Sequence, residues 1–195
     1  MTIIIANIIS FIANACFTSS SFFKNKKVIL ILQCINHVLA VIAELLTQAY
    51  AGLVQEFTSL VRNIILIFVK EEKKILKLIV SICCVVFAVV VGVIFNVVFS
   101  GNVWYGYLPI IATIEYSTFV ILAFMLNINQ VRQELLIKIG LFINSMLWGT
   151  YGFLVKLYPI AIFNIITFII CINAFIGIAV MHHKSKKELG ISNEN

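Results

Sequence analysis

Aspartate is missing altogether from this chain of 195 residues, and charge is scarce: 8 acidic and 14 basic side chains make up 11 % of it. Also absent are a Gly-rich phosphate loop, a Gly-x-Ser-x-Gly nucleophile turn and a His-x-x-x-His pair. Without them no nucleophile–base set, phosphate cradle or catalytic zinc site can be assembled, so an enzyme is not expected. Nor is a cofactor or a metal. The cysteines, Cys16, Cys34, Cys83, Cys84 and Cys171, lie inside apolar runs with no Cys-x-x-Cys spacing, and read as buried free thiols. The N-terminus has no positive stretch before its apolar run, so a cleaved signal peptide is not expected and 2–23 reads as a retained helix.

What is present is grease. Hydrophobic residues make up 62 % of the chain and the mean hydropathy is +1.10, whereas soluble domains are about half apolar and a quarter charged. Lipid must be the solvent for most of this surface, which makes the lipid bilayer the first expected partner. The net charge of +6 comes from short basic clusters between apolar runs. That placement signals membrane orientation and not a nucleic-acid-binding face.

Seven apolar runs, 2–23, 28–50, 53–69, 75–99, 103–126, 135–155 and 158–181, each approach the roughly 17–25 residues a helix needs to cross hydrocarbon. They are long and do not alternate, so helices are expected over barrel strands. With the N-terminus outside, twelve of the fourteen basic residues fall in cytoplasmic segments, leaving Arg62 and Lys156. The expectation is a multi-pass protein of a bacterial plasma (inner) membrane, N-terminus out and C-terminus in. Tyr50, Trp104, Tyr105, Tyr107 and Tyr158 then form an outer aromatic belt.

Tyr50 and Asn63 are thirteen residues apart, as are Tyr151 and Asn164, and the two pairs are offset by 101. The offset lays helices 1–3 on helices 5–7, with helix 4 as the extra crossing that keeps both trios the same way up. The expected fold class is all-α: two parallel three-helix bundles joined by a linker helix (3+1+3). Its parts are a first repeat at 1–69, a charged loop and helix 4 at 70–99, a second repeat at 100–181, and a polar, unstructured tail at 182–195.

Charge at hydrocarbon depth is expensive and should face a cavity or a partner. Glu44 and Arg62, on consecutive antiparallel helices, are within a few ångströms in depth when measured from a turn near 51–53, and would pair. His37 is a milder candidate. Glu115 has no basic residue nearby in its helix; a desolvated carboxyl favours its protonated form, which suits either a proton or substrate site or a neutral acid bonded between helices. Pro109 would let helix 5 bend. Trp148 offers a flat apolar face and Asn164 two donors and an acceptor, which suits a neutral, hydroxyl-rich or aromatic solute or, equally, helix packing. Tyr151, one turn from Trp148, and the first-half residues Tyr50 and Asn63 complete the set.

The stretch LWGTYGFLVKLYPIAIFNIITFIICINAFIG, Leu147 to Gly177, resembles the last two helices of the SWEET and SemiSWEET (MtN3-like) sugar transporters. There a Trp-x-x-Tyr-Gly helix leads through a turn with Pro into a helix with a substrate-facing Asn. Over 1–181 the chain is more similar still to bacterial inner-membrane proteins of the YgjV type. The basic loop after SSSFF, Gln33, Arg62 and LPIIATIEYST at 108–118 carry that likeness. Unlike SWEET-like units, helix 1 has no Pro-Gln pair, and Pro109 is followed by Ile110. The resemblance implies transport of a small polar or neutral solute, sugar- or vitamin-like, by alternating access. Trp148, Asn164, Tyr151, Glu115, Asn63 and Tyr50 would line its path. The alternative is a non-transporting accessory or sensor protein; a homo-oligomer is left open.

Overall fold

The structure, a computed structural model, describes residues 1–20, 26–68, 73–125 and 130–188. They form seven α-helices: α1 Thr2–Ser20, α2 Lys26–Thr47, α3 Tyr50–Phe68, α4 Lys74–Phe99, α5 Leu108–Met125, α6 Gln130–Leu154 and α7 Tyr158–Glu188. A short 3-10 turn, Trp104–Tyr107, leads into α5, and no strand occurs among the described residues. Among the described residues four stretches can cross a membrane by length and composition: Thr2–Ser19, Leu30–Thr47, Ile75–Phe99 and Tyr158–Gly177. Outside those four, α3 carries Gln55, Glu56, Arg62 and Asn63 within 19 residues, and α6 opens on Gln130, Arg132, Gln133 and Glu134.

Several helix ends differ from the sequence reading. The polar tail expected from His182 begins as helix, α7 continuing to Glu188. Neither Gly nor Pro occurs between Ile178 and Glu188 to break it. Pro109 does not bend α5. It is the second residue of that helix, where the backbone N–H it lacks has no helical acceptor. Pro159 does the same for α7.

Each helix packs on its neighbour in chain order, α7 returns to α1, and α3 also meets α5, with α4 seated against both. Within neither trio do the outer helices touch among the described residues: α1 does not meet α3, nor α5 α7. Each trio is therefore an arc of one closed ring.

The two hairpins, α2–α3 and α6–α7, turn in the same way. Gln48 (φ 57°) and Lys156 (φ 62°) adopt the left-handed conformation just past a helix end. Gln48 N–H donates to Leu45 O and Ala49 N–H to Glu44 O; Lys156 N–H donates to Phe153 O and Leu157 N–H to Gly152 O. Both are Schellman closures, which satisfy the last carbonyls of a helix. They superimpose at an offset of 108, Gln48 on Lys156 and Tyr50 on Tyr158. The offset of 101 is thereby corrected: Tyr50 opens α3 whereas Tyr151 lies in the last turn of α6, on the other side of its turn.

Polarity runs inside out. Wholly or nearly buried positions include Ser10, Asn36, Glu44, Gln55, Asn63, Asn96 and Ser145, beside small residues such as Ala6, Ala13 and Ala43. The exterior carries large side chains, among them Ile4, Phe11, Val86, Phe87, Ile94, Ile165 and Ile176. Water-soluble folds arrange these classes the other way round.

Candidate functional site

A column of polar groups runs along the inner faces of α2 and α3. His37 Nδ1 lies 2.5 Å from Glu56 Oε2, with both side chains largely buried. Further from the turn, Asn63 Nδ2 donates to Gln33 Oε1 at 3.2 Å, and Asn63 Oδ1 accepts from Arg62 Nε and Nη2 at 3.4 Å. Charge-assisted bonds of this kind are the stronger ones in a low-dielectric interior.

The expected Glu44–Arg62 pair does not form. Glu44 is completely buried with both carboxylate oxygens unbonded, whereas Arg62 bonds to Asn63 and lies in electrostatic reach of Cys84 on α4 and Tyr116 on α5. The cause is the turn. It falls at Gln48 and Ala49, not at 51–53, so Glu44 is shallower and Arg62 deeper than the sequence reading placed them. Some nine residues of depth now separate them, roughly 13 Å at 1.5 Å per residue.

The end of the ring that carries the two turns is closed by reciprocal contacts. Tyr151 of α6 donates its hydroxyl to Ala49 O and accepts from Gly52 N–H, both at 3.1 Å. Asn7 of α1 donates to Lys156 O at 3.0 Å and accepts from Tyr158 N–H at 2.9 Å. Each trio thus sends one polar side chain to bridge a carbonyl and an amide on the hairpin turn of the other.

Beside the first bridge, a cavity of about 290 Å³ opens between the α2–α3 turn, the end of α4, the 3-10 turn and the end of α6, with Tyr50, Tyr105 and Tyr151 in its walls. Behind it Asn96, fully buried, donates to Val103 O at 3.0 Å and packs so tightly on Gly106 that a Cβ there would overlap its amide.

The remaining predicted residues divide. Trp148 is half-buried, packs on the cluster of Ala6, Ala43, Leu157 and Ile160, and meets the Tyr151 ring edge-on at 5.7 Å. Asn164 donates to Ile160 O of its own helix at 2.8 Å, its Cβ lying over Gly149. Neither lines the cavity at the turns. Tyr50 does, its ring 5.7 Å from Phe99, and Asn63 belongs to the column. Glu115 is half-buried, with both oxygens enclosed and unbonded. Among the described residues no three His, Cys, Asp or Glu gather into a metal-binding group. Of the basic clusters that set the expected orientation, 24–25 and 70–72 lie outside the described residues.

Sequence reasoning passed over Glu56, Gln55, Asn96 and Asn7. Gln55 is buried and donates to Ala88 O of α4 at 3.0 Å. For Glu56 the signal was available: a carboxyl inside the apolar run 53–69, across one short turn from a histidine in the preceding run. No family model, curated protein or solved structure matches the chain.

Proposed function

We propose that the chain is a seven-crossing membrane protein, N-terminus out and C-terminus cytoplasmic in a bacterial plasma membrane, that passes a small polar or neutral solute between its two helical trios. The observation that supports this reading is the column His37–Glu56, Gln33–Asn63–Arg62, which faces the interior of a ring whose exterior is apolar. Polar groups are costly at membrane depth, and where they persist they mark a substrate or ion path. In the 3+1+3 layout, 1–3 and 5–7 rock against each other about this column, with α4 as the linker, in the manner of parallel-repeat transporters. The SWEET-like resemblance of 147–177 points the same way, but the solute contacts move to α2 and α3, since Trp148 and Tyr151 are engaged in packing and in closing the turn-bearing end.

Thermal unfolding of the full chain in lipid vesicles, screened against sugars, vitamins and nucleosides, tests the proposal. A bound solute raises Tm by mass action, and Asn63→Ala abolishes the rise. A second reading, a non-transporting accessory or sensor protein with this fold, is favoured by the packed position of Trp148. It predicts no shift with any solute, and that outcome would replace the first reading.

A further inference from the structure

Among the interior groups, Glu44 alone combines complete burial with two unbonded carboxylate oxygens. It occupies a corner made for it. A Cβ at Gly52 would come within 2.8 Å of both Glu44 Cδ and Tyr151 Cε1, so glycine is what admits the carboxyl beneath the tyrosine. Among the described residues no cation compensates it. Glu56 of α3 reaches it electrostatically with the same sign, and His37 is committed to Glu56 at 2.5 Å. From α6 comes Tyr151, a neutral hydroxyl that feels both carboxyls. The neighbouring cluster brings Ala6 of α1, Leu157 of the α6–α7 turn and Ile160 of α7, none of which titrates. A bare carboxylate in such surroundings is costly, and the group meets that by staying neutral.

We propose that Glu44, backed by the His37–Glu56 pair, is a proton-binding site that belongs to the closed turn-bearing end. With Tyr151 bridging Ala49 and Gly52, Glu44 is held as the carboxylic acid. When that bridge parts, water enters from the turn side, the Glu44 O–H bond breaks, the proton leaves to water and a hydrated carboxylate remains. The His37–Glu56 contact takes no part in the step, so the protein's net charge falls by one. Closure reverses the step. Because the closed state binds one more proton, acid favours closure and alkali favours opening. As a coupling ion the proton rests on the solute-passage reading; as the ligand of the closed end it does not, and the test addresses the ligand without any solute.

The experiment is hydrogen exchange across 44–53 in the full chain in phosphatidylcholine vesicles, followed over a pH series and corrected for intrinsic amide chemistry. Once the site begins to lose its proton, opening should grow about tenfold per pH unit. Glu44→Gln, a neutral mimic, should remove that dependence and leave the segment protected. His37→Gln, which takes from Glu56 its imidazole partner, should move the onset to higher pH, and Glu56→Gln should move it lower. The infrared carbonyl stretch of a protonated carboxyl should persist in Glu115→Gln and be diminished in Glu44→Gln. An unchanged pH dependence in Glu44→Gln, or an infrared band indifferent to that substitution, would overturn the site. Failure here leaves the solute screen untouched, and failure of the screen leaves this site standing.

Discussion

Gly52 is a position where a missing side chain does the positioning. The space its Cβ would fill is taken by the Glu44 carboxyl and the Tyr151 ring, and its N–H, one of the first-turn donors of α3 with no helical acceptor, is received by the Tyr151 hydroxyl. Gly52→Ala should therefore cost about 1–3 kcal/mol by overpacking, read as a lowered midpoint in unfolding from mixed micelles. Tyr151→Phe keeps the ring and removes only the oxygen; it strands the buried Gly52 N–H, while Ala49 O keeps the Leu53 N–H, and should cost about 1–3 kcal/mol in the same assay. A result equal to the native chain would show that water replaces the hydroxyl. Little of this is legible in the sequence. Tyr151 is readable there as an aromatic one turn from Trp148, but its backbone partners lie about a hundred residues away and no local pattern announces them. Glu56 fails for another reason: beside Arg62 it passes for one more polar interruption, and only the register set by Gln48 brings it to His37.

The helices themselves are easier to read. The apolar runs are long, interrupted by few charges and bounded by charge or by Gly, Asn and Pro, so the number and order of elements follow from solvent and length. The register of the hairpins does not, because it depends on where the chain turns left-handed. Glycine is the usual signal for that conformation, and here Gln48 and Lys156 adopt it instead. A wrong turn position carried through to the wrong ion pair and the wrong repeat offset. A non-glycine residue in this region costs roughly 1–2 kcal/mol, partly offset by the greater freedom of glycine in the unfolded chain. Gln48→Gly and Lys156→Gly should each raise stability by about 0.5–1 kcal/mol, measured as slower unfolding in denaturing detergent. If either lowers it, the side chain at that turn has a bonding role of its own.

For the molecule as a whole, the inside-out distribution of residue types was foreseeable from composition, and the closing of α7 on α1 was not. The placement of Lys and Arg between apolar runs is readable from the chain, whereas contact between the first and last helices involves Asn7 at the α6–α7 turn, a pairing 149 to 151 residues apart. Asn7 and Tyr151 hold opposite sides of one junction. Loss of either should loosen what the other grips, so Asn7→Ala combined with Tyr151→Phe should cost less than the two separately, by at least about 0.5 kcal/mol. Strict additivity in a double-mutant cycle would mean that the two bridges close independent seams.

The crossed bridging also dictates an order of events during synthesis. While the ribosome is still making α4, the turn at Gln48 already exists, but the tyrosine hydroxyl that will cover the Ala49 carbonyl has not been made. The α6–α7 turn is in the opposite position, since its asparagine has been waiting since the first helix emerged. The earlier half must therefore keep a polar knuckle wet until the later half arrives, and maturation of the protein should end with the seating of its last hairpin.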